Sequence, residues 1–147
     1  MNGGAQKNSF MKILLGSLLL LAGMTSACNR AFEPIVYGKD ACAHCKMTII
    51  DKRFAAEIVN PKGKVFKFDD ISCLRAFTAE IPGSMIFVNA YREKGEQPLN
   101  AATAVYLHHP SFKSPMSGNI TAFAGKDDAK GLQDSLQLEL LTWETLP

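Results

Sequence analysis

The stretch AAEIVNPKGKVFKFDDISCLRAF (residues 55–77) carries three secondary-structure signals in a row, and their order sets the fold. Ala55-Ala-Glu-Ile-Val59 is strand-like. Asn60-Pro-Lys-Gly63 has turn chemistry: Asn bonds its own backbone, Pro presets φ and Gly accepts left-handed geometry. Val65-Phe-Lys-Phe68 alternates apolar and polar residues, which favours the returning strand of a hairpin. Asp69 is a candidate helix N-cap. Ile71, Leu74 and Phe77 then fall at i, i+3 and i+6, the apolar face of an amphipathic helix. Ile81-Pro-Gly83 ends that helix, and Met85-Ile-Phe-Val-Asn89 is another strand.

The same order returns in the second half. Thr103-Ala-Val-Tyr-Leu-His108 reads as a strand, followed by a loop with two prolines and Gly118, then by Ile120-Thr-Ala-Phe123. Asp127 or Asp128 can cap a helix running to about Gln137, with Leu132 and Leu136 on one face, and Leu138–Trp143 reads as a closing strand. The expected fold is therefore α+β, two tandem β-β-α-β lobes forming a pseudo-repeat of pattern. Lobe one covers about 41–91 and lobe two about 99–147, joined by the charged, Gly- and Pro-bearing link 91–98. One such unit, about fifty residues, buries too little surface alone, so the lobes are expected to pack together.

Upstream, Lys7 and Lys12 precede a ten-residue apolar run, Ile13–Ala22, and small residues lead to Cys28. A basic start, a short apolar segment and a small-residue exit describe a cleaved export signal over residues 1–27. The run is well short of the roughly twenty residues that span a bilayer. Ala27-Cys28 resembles a lipobox, with Thr25 where Leu is usual, making Cys28 the acylated first residue of a lipoprotein. Cleavage nearby to release a soluble periplasmic protein is the alternative, and Met11 is an alternative start. Residues 28–40 read as a tether. Removing Lys7 and Lys12 lowers the 16 basic residues to 14, equal to the 14 acidic ones. The apparent basicity belongs to the signal, and the main reason to expect nucleic acid or an anionic surface goes with it.

The chemistry concentrates in Asp40-Ala-Cys-Ala-His-Cys-Lys-Met47. With Cys28 acylated, Cys42, Cys45 and Cys73 remain, an odd number that leaves at least one thiol unpaired. A Cys42–Cys45 disulfide stays open. A closed zinc site lacks a downstream C-x-x-C or His pair, and a redox motif would want a helix after it, whereas Thr48-Ile-Ile50 is β-like. Met47 and Met116 lie in polar or Pro/Gly surroundings, unlike Met85 in an apolar strand. Thiolates and thioethers together are soft donors that suit Cu(I). The candidate ligands are Cys42, Cys45, Met47 and Met116, with His44, Cys73 and His108 as secondary candidates. Cys73 has two readings: a thiol of lowered pKa if exposed at a helix start, or a small buried hydrophobe. One of His108 and His109 is expected to face solvent and the other to be partly buried. Asp69-Asp70 reads as a helix N-terminus rather than an acid pair. No Ser–His–Asp arrangement, phosphate loop or paired acids in a cleft is visible.

Taken together, Ala27-Cys28, Cys42-Ala-His-Cys45-Lys-Met47, Phe68-Asp-Asp-Ile-Ser-Cys73, Ala104–His108, Ser114-Pro-Met-Ser-Gly118 and Ala122-Phe123 resemble, in order and spacing, the NosL copper-binding lipoproteins of nitrous oxide reductase maturation. The resemblance implies paired β-β-α-β lobes, one bound Cu(I) and no enzymatic activity. It also implies a membrane-anchored metallochaperone facing the periplasm, with nitrous oxide reductase and its maturation transporter as partners. By motif, Cys42, Cys45 and Met47 carry over to the cysteine-bearing segment and Met116 to the Pro-Met loop. The histidine inside the C-x-x-C and the additional Cys73 depart from the family pattern. The rival readings are a thiol–disulfide oxidoreductase using Cys42 and Cys45, and a purely structural lipoprotein.

Overall fold

The computed structural model describes residues 32–78, 81–92 and 98–147. Cys28, the signal-like segment and most of the 91–98 link lie outside the described residues.

Strand β1 (Ala56–Val59) pairs antiparallel with β2 (Val65–Phe68) on one side and with β3 (Met85–Val88) on the other. A two-residue edge strand, β4 (Leu99–Asn100), absent from the sequence reading, pairs with β3, so the sheet order is β2-β1-β3-β4. The turn between β1 and β2 forms as its residues demand. Asn60 Oδ1 accepts from the amides of Lys62 and Lys64, and Gly63 takes φ +81°. Helix α1 (Ile71–Thr78) follows β2 directly. Asp70, not Asp69, is its cap: Asp70 Oδ1 accepts from the Ser72 amide at 2.8 Å.

All four residues of β1 are buried because both faces of the sheet are covered. On one face Phe77 of α1 packs against Phe66 and Phe68. On the other, residues 32–40 lie across the strands. The Glu33 amide donates to Glu57, Lys67 Nζ bonds Glu33, the Pro34 carbonyl and Asp40, and Phe32 meets Phe87 edge-on. From Phe32 onward, the described part of the segment expected as a tether packs on the sheet, held by the Lys67 bonds to Glu33, Pro34 and Asp40 and by Phe32 on Phe87.

The second half contains β5 (Val105–His108) and β6 (Ile120–Phe123), paired antiparallel, and helix α2 (Lys126–Leu136). Gly125 is the N-cap of α2, while Asp127 and Asp128 sit in its first turn, where the helix dipole still favours them. The closing strand expected over 138–143 does not form. A single bridge, Tyr106–Leu141, stands in its place with a bond in each direction at 2.9 Å. Beyond it the Arg75 guanidinium takes the carbonyls of Trp143 and Leu146 and stacks on Trp143, drawing the chain away from β5. The second sheet therefore has two strands where the repeat pattern calls for three.

The halves meet through a parallel bridge, Ala90–Ala122, and share one core. Ile58, Phe68, Leu74 and Val88 pack in the same cluster as Tyr106, Ile120 and Ala122. A smaller cluster of Phe54, Leu107, Phe112, Phe123 and Ala129 lies beneath α2. The described residues form an α+β fold with antiparallel sheets and two helices.

Candidate metal centre

The cysteine-bearing segment closes as a tight loop between Ala41 and Thr48, which form a bridge. The Cys42 amide donates to the Met47 carbonyl at 2.8 Å, and the Lys46 amide to the Cys42 carbonyl at 3.1 Å. Lys46 takes φ +68°, the left-handed step that reverses the chain. The Ala43 amide bonds the Lys67 carbonyl, fixing the loop to β2. In this frame Cys42 points inward and is 1% exposed, Cys45 is half-buried, and His44, Lys46 and Met47 face outward.

The other half of the site comes from the start of α1. Asp69 and Cys73 are both buried there, and they meet the loop from below. One sulfur each from Cys42, Cys45 and Cys73 and one carboxylate oxygen of Asp69 all lie within 4.8 Å of one another. Cys45 Sγ is 3.4 Å from Asp69 Oδ1. The three cysteines are free thiols. A four-donor group is therefore assembled without a second C-x-x-C, because the fold supplies the third and fourth donors from a helix start some thirty residues on.

Two of the three thiols, Cys45 and Cys73, have raised pKa values. Burial pushes Cys45 up, and the neighbouring Cys42 thiol and Asp69 carboxylate add to the shift against a bond from the Met47 backbone. Cys73 is pushed up further, first by burial and then by the charges of Cys42, Asp69 and Cys45. The reading of Cys73 as an exposed thiol of lowered pKa is thereby corrected: its helix position would lower the pKa, but burial among acidic neighbours wins. With their pKa values raised, Cys45 and Cys73 are poor nucleophiles. A soft cation that displaces their protons would turn mutual repulsion into ligation.

The two methionines are exposed and stand outside the four-donor group. Met47 is 50% exposed and Met116 is 42% exposed. Met116 sits on a loop in which Ser117 and Asn119 both take positive φ. That loop is held on α1, since Asp70 Oδ2 accepts from Ser114 Oγ at 2.6 Å and from the Met116 amide at 2.9 Å. Consecutive acids thus hold two different segments: Asp69 touches the Cys45 thiol and Asp70 holds the Met116 backbone. His44 and His108 are exposed and stand outside the four-donor group, while His109 is half-buried with Nδ1 on Ser111. Asp69 is the residue that sequence reasoning missed. Its signal was an acid one turn before Cys73, read only as a cap.

The class defined by this fold and site is a small α+β protein with a thiol-rich donor cluster, able to hold a metal ion, at a loop–helix junction. The chain belongs to the NosL family, whose model matches residues 35–146. Its fold is shared with the crystal structure of the copper chaperone NosL from Shewanella denitrificans. The TM-score is 0.60 at 19% identity, covering 79% of this chain and 95% of that one. Comparison with curated proteins finds no match. Among the described residues no helix is long and apolar enough to cross a membrane.

Proposed function

We propose that this chain is a Cu(I)-binding metallochaperone, lipid-anchored at Cys28 and facing the periplasm, that delivers copper for assembly of nitrous oxide reductase. The carrying observation is the convergence of three free thiols and one carboxylate oxygen of Asp69 within 4.8 Å; the exposed thioethers of Met47 and Met116 are the further donors this reading adds. Sulfur donors of both kinds select Cu(I) over harder cations. Copper is cargo here, so the site must release it as well as hold it. Exposed Met47 and Met116 suit that need, because a partner's donor can displace them one at a time from the open side. The maturation transporter and the reductase are the partners this reading requires. Membership of the NosL family and the fold shared with a copper chaperone support it. Burial of the Cys45 thiol, which raises its pKa, counts against an oxidoreductase reading that would use a Cys45 thiolate.

The test is X-ray absorption of the Cu(I) form, with affinity measured against a chromogenic Cu(I) chelator. Sulfur-dominated coordination is expected, and Met47→Ala and Met116→Ala should each weaken Cu(I) binding by about tenfold or more. Unchanged affinity in both variants would remove the thioethers from the site. Preference for Zn(II), held by the thiols and Asp69 alone, would overturn the copper assignment.

A further inference from the structure

We propose that Asp70 is a positioning residue: its buried carboxylate latches the Ser114–Asn119 loop to the start of α1 and so sets where the Met116 thioether stands relative to the thiol cluster. The inference rests on the reading of Met116 as a copper donor and adds the residue that places it.

Asp70 is fully buried, and both of its oxygens are occupied. Oδ1 works within the helix, accepting from the Ser72 amide and the Ser72 hydroxyl, each at 2.8 Å. Oδ2 works across the fold, accepting from Ser114 Oγ and the Met116 amide, 44 and 46 residues away. One carboxylate therefore satisfies a helix terminus and a distant loop at once. The loop is shaped to meet it. Ser114 Oγ passes its lone pair to the Asn119 amide at 2.7 Å, Asn119 Oδ1 accepts from the Ser114 amide, and the Ser117 amide closes onto the Ser114 carbonyl. Gly118 is where the two pieces touch. A Cβ there would stand 2.4 Å from Ser72 Cβ and 2.8 Å from Asp70 Oδ1. Nothing larger than glycine lets the loop seat on the helix.

Met116 itself has no apolar pocket to fill, being among the few large exposed hydrophobics of the described residues. An exposed thioether on an untethered loop would sample many positions. With its own amide bonded to a buried side-chain oxygen, the backbone under it is held and only the side chain is free. That is the arrangement a displaceable donor needs: a fixed base and a movable tip. Asp69, the adjacent residue, contacts Cys45, so one helix start references the thiols and the thioether to each other.

The test variant is Asp70→Asn. Asparagine is as good an N-cap as aspartate, so the Ser72 bonds survive. An amide NH2 in place of Oδ2 cannot accept from the Met116 amide. Three measurements on the full protein settle the proposal: hydrogen exchange at the Met116 amide, Cu(I) affinity against a chelator, and the same affinity in Met116→Ala and in the double variant. Exchange at Met116 should speed up about tenfold or more, and Cu(I) affinity should fall by about tenfold. In the Met116→Ala background Asp70→Asn should cause no further loss, because the residue acts through Met116. Gly118→Ala should reproduce the faster exchange through its clash with Ser72. Unchanged exchange at Met116, or an undiminished affinity loss in the Met116→Ala background, overturns the latch while leaving the copper site intact. If Met116→Ala alone leaves Cu(I) affinity unchanged, the donor role of Met116 fails and the positioning role with it, a pattern distinct from the other two.

Discussion

Glu57 occupies the middle of β1 with no exposed surface, and only one of its carboxylate oxygens has a partner. Oε1 accepts from the Glu33 amide at 2.9 Å, while Oε2 has none among the described residues. Burial raises its pKa to about 7 from 4.5, outweighing the Glu33 amide and Lys67, which act the other way. The folded pKa lies above the unfolded one, so between about pH 4.5 and about 7 the native protein keeps a proton that the unfolded chain releases. Stability therefore falls as pH rises through that window, by on the order of 3 kcal/mol for this group. Glu57→Gln removes the titration. Its melting temperature relative to wild type should become more favourable on going from pH 4.5 to above pH 7, as followed by circular dichroism. A difference independent of pH would show that Glu57 keeps an ordinary pKa. Nothing in AAEIV announces this residue as a buried acid, because its burial comes from residues 32–40 folding over the sheet. Cys42, Cys45, Met47 and Met116 were legible as candidates because softness is a property of the side chain alone. The place of Asp69 among the thiols was not, because it depends on where a helix begins relative to a loop 24 residues earlier.

At the level of elements, the hairpin and α1 read directly from residues 55–77, since turn chemistry and periodicity agree there. The closing strand did not, because a strand needs a partner edge along its length and Leu138–Trp143 finds one only at Leu141. Arg75, in a helix far away in sequence, binds the Trp143 carbonyl at the end of that segment and the Leu146 carbonyl beyond it. Helix α2 ends in a way that invites a direct measurement. Its C-cap, Gln137, takes φ +53°, with its amide on the Gln133 carbonyl, and the Leu138 amide bonds the same carbonyl. A side chain at a left-handed cap is strained where glycine is not. Gln137→Gly should stabilise the protein by roughly 0.5–1 kcal/mol in urea unfolding. Destabilisation instead would show that the glutamine side chain contributes packing that outweighs the strain.

On the scale of the whole molecule, the proposed anchor and the described domain lie close together in the chain. Three residues separate Cys28 from Phe32, and Phe32 is already packed on Phe87. A chain of that length reaches at most about 14 Å, so lipidation at Cys28 would hold the sheet face under residues 32–40 near the bilayer. Cys28→Ala should move the protein from the membrane to the soluble fraction on cell fractionation, with the fold unchanged. Retention in the membrane would remove the lipid anchor from the proposal. By itself, the sequence determined the local features: hairpin, helix starts, soft donors and the signal-like leader, all of which depend on residue type and on neighbours a few positions away. Only the tertiary structure decided which donors meet. The loop carrying Cys42 and Cys45, the helix start carrying Asp69 and Cys73, and the Pro-Met loop held by Asp70 come from three separate parts of the chain. They share one place because a common core packs α1 between the two halves, and that depends on burying apolar surface across the whole chain.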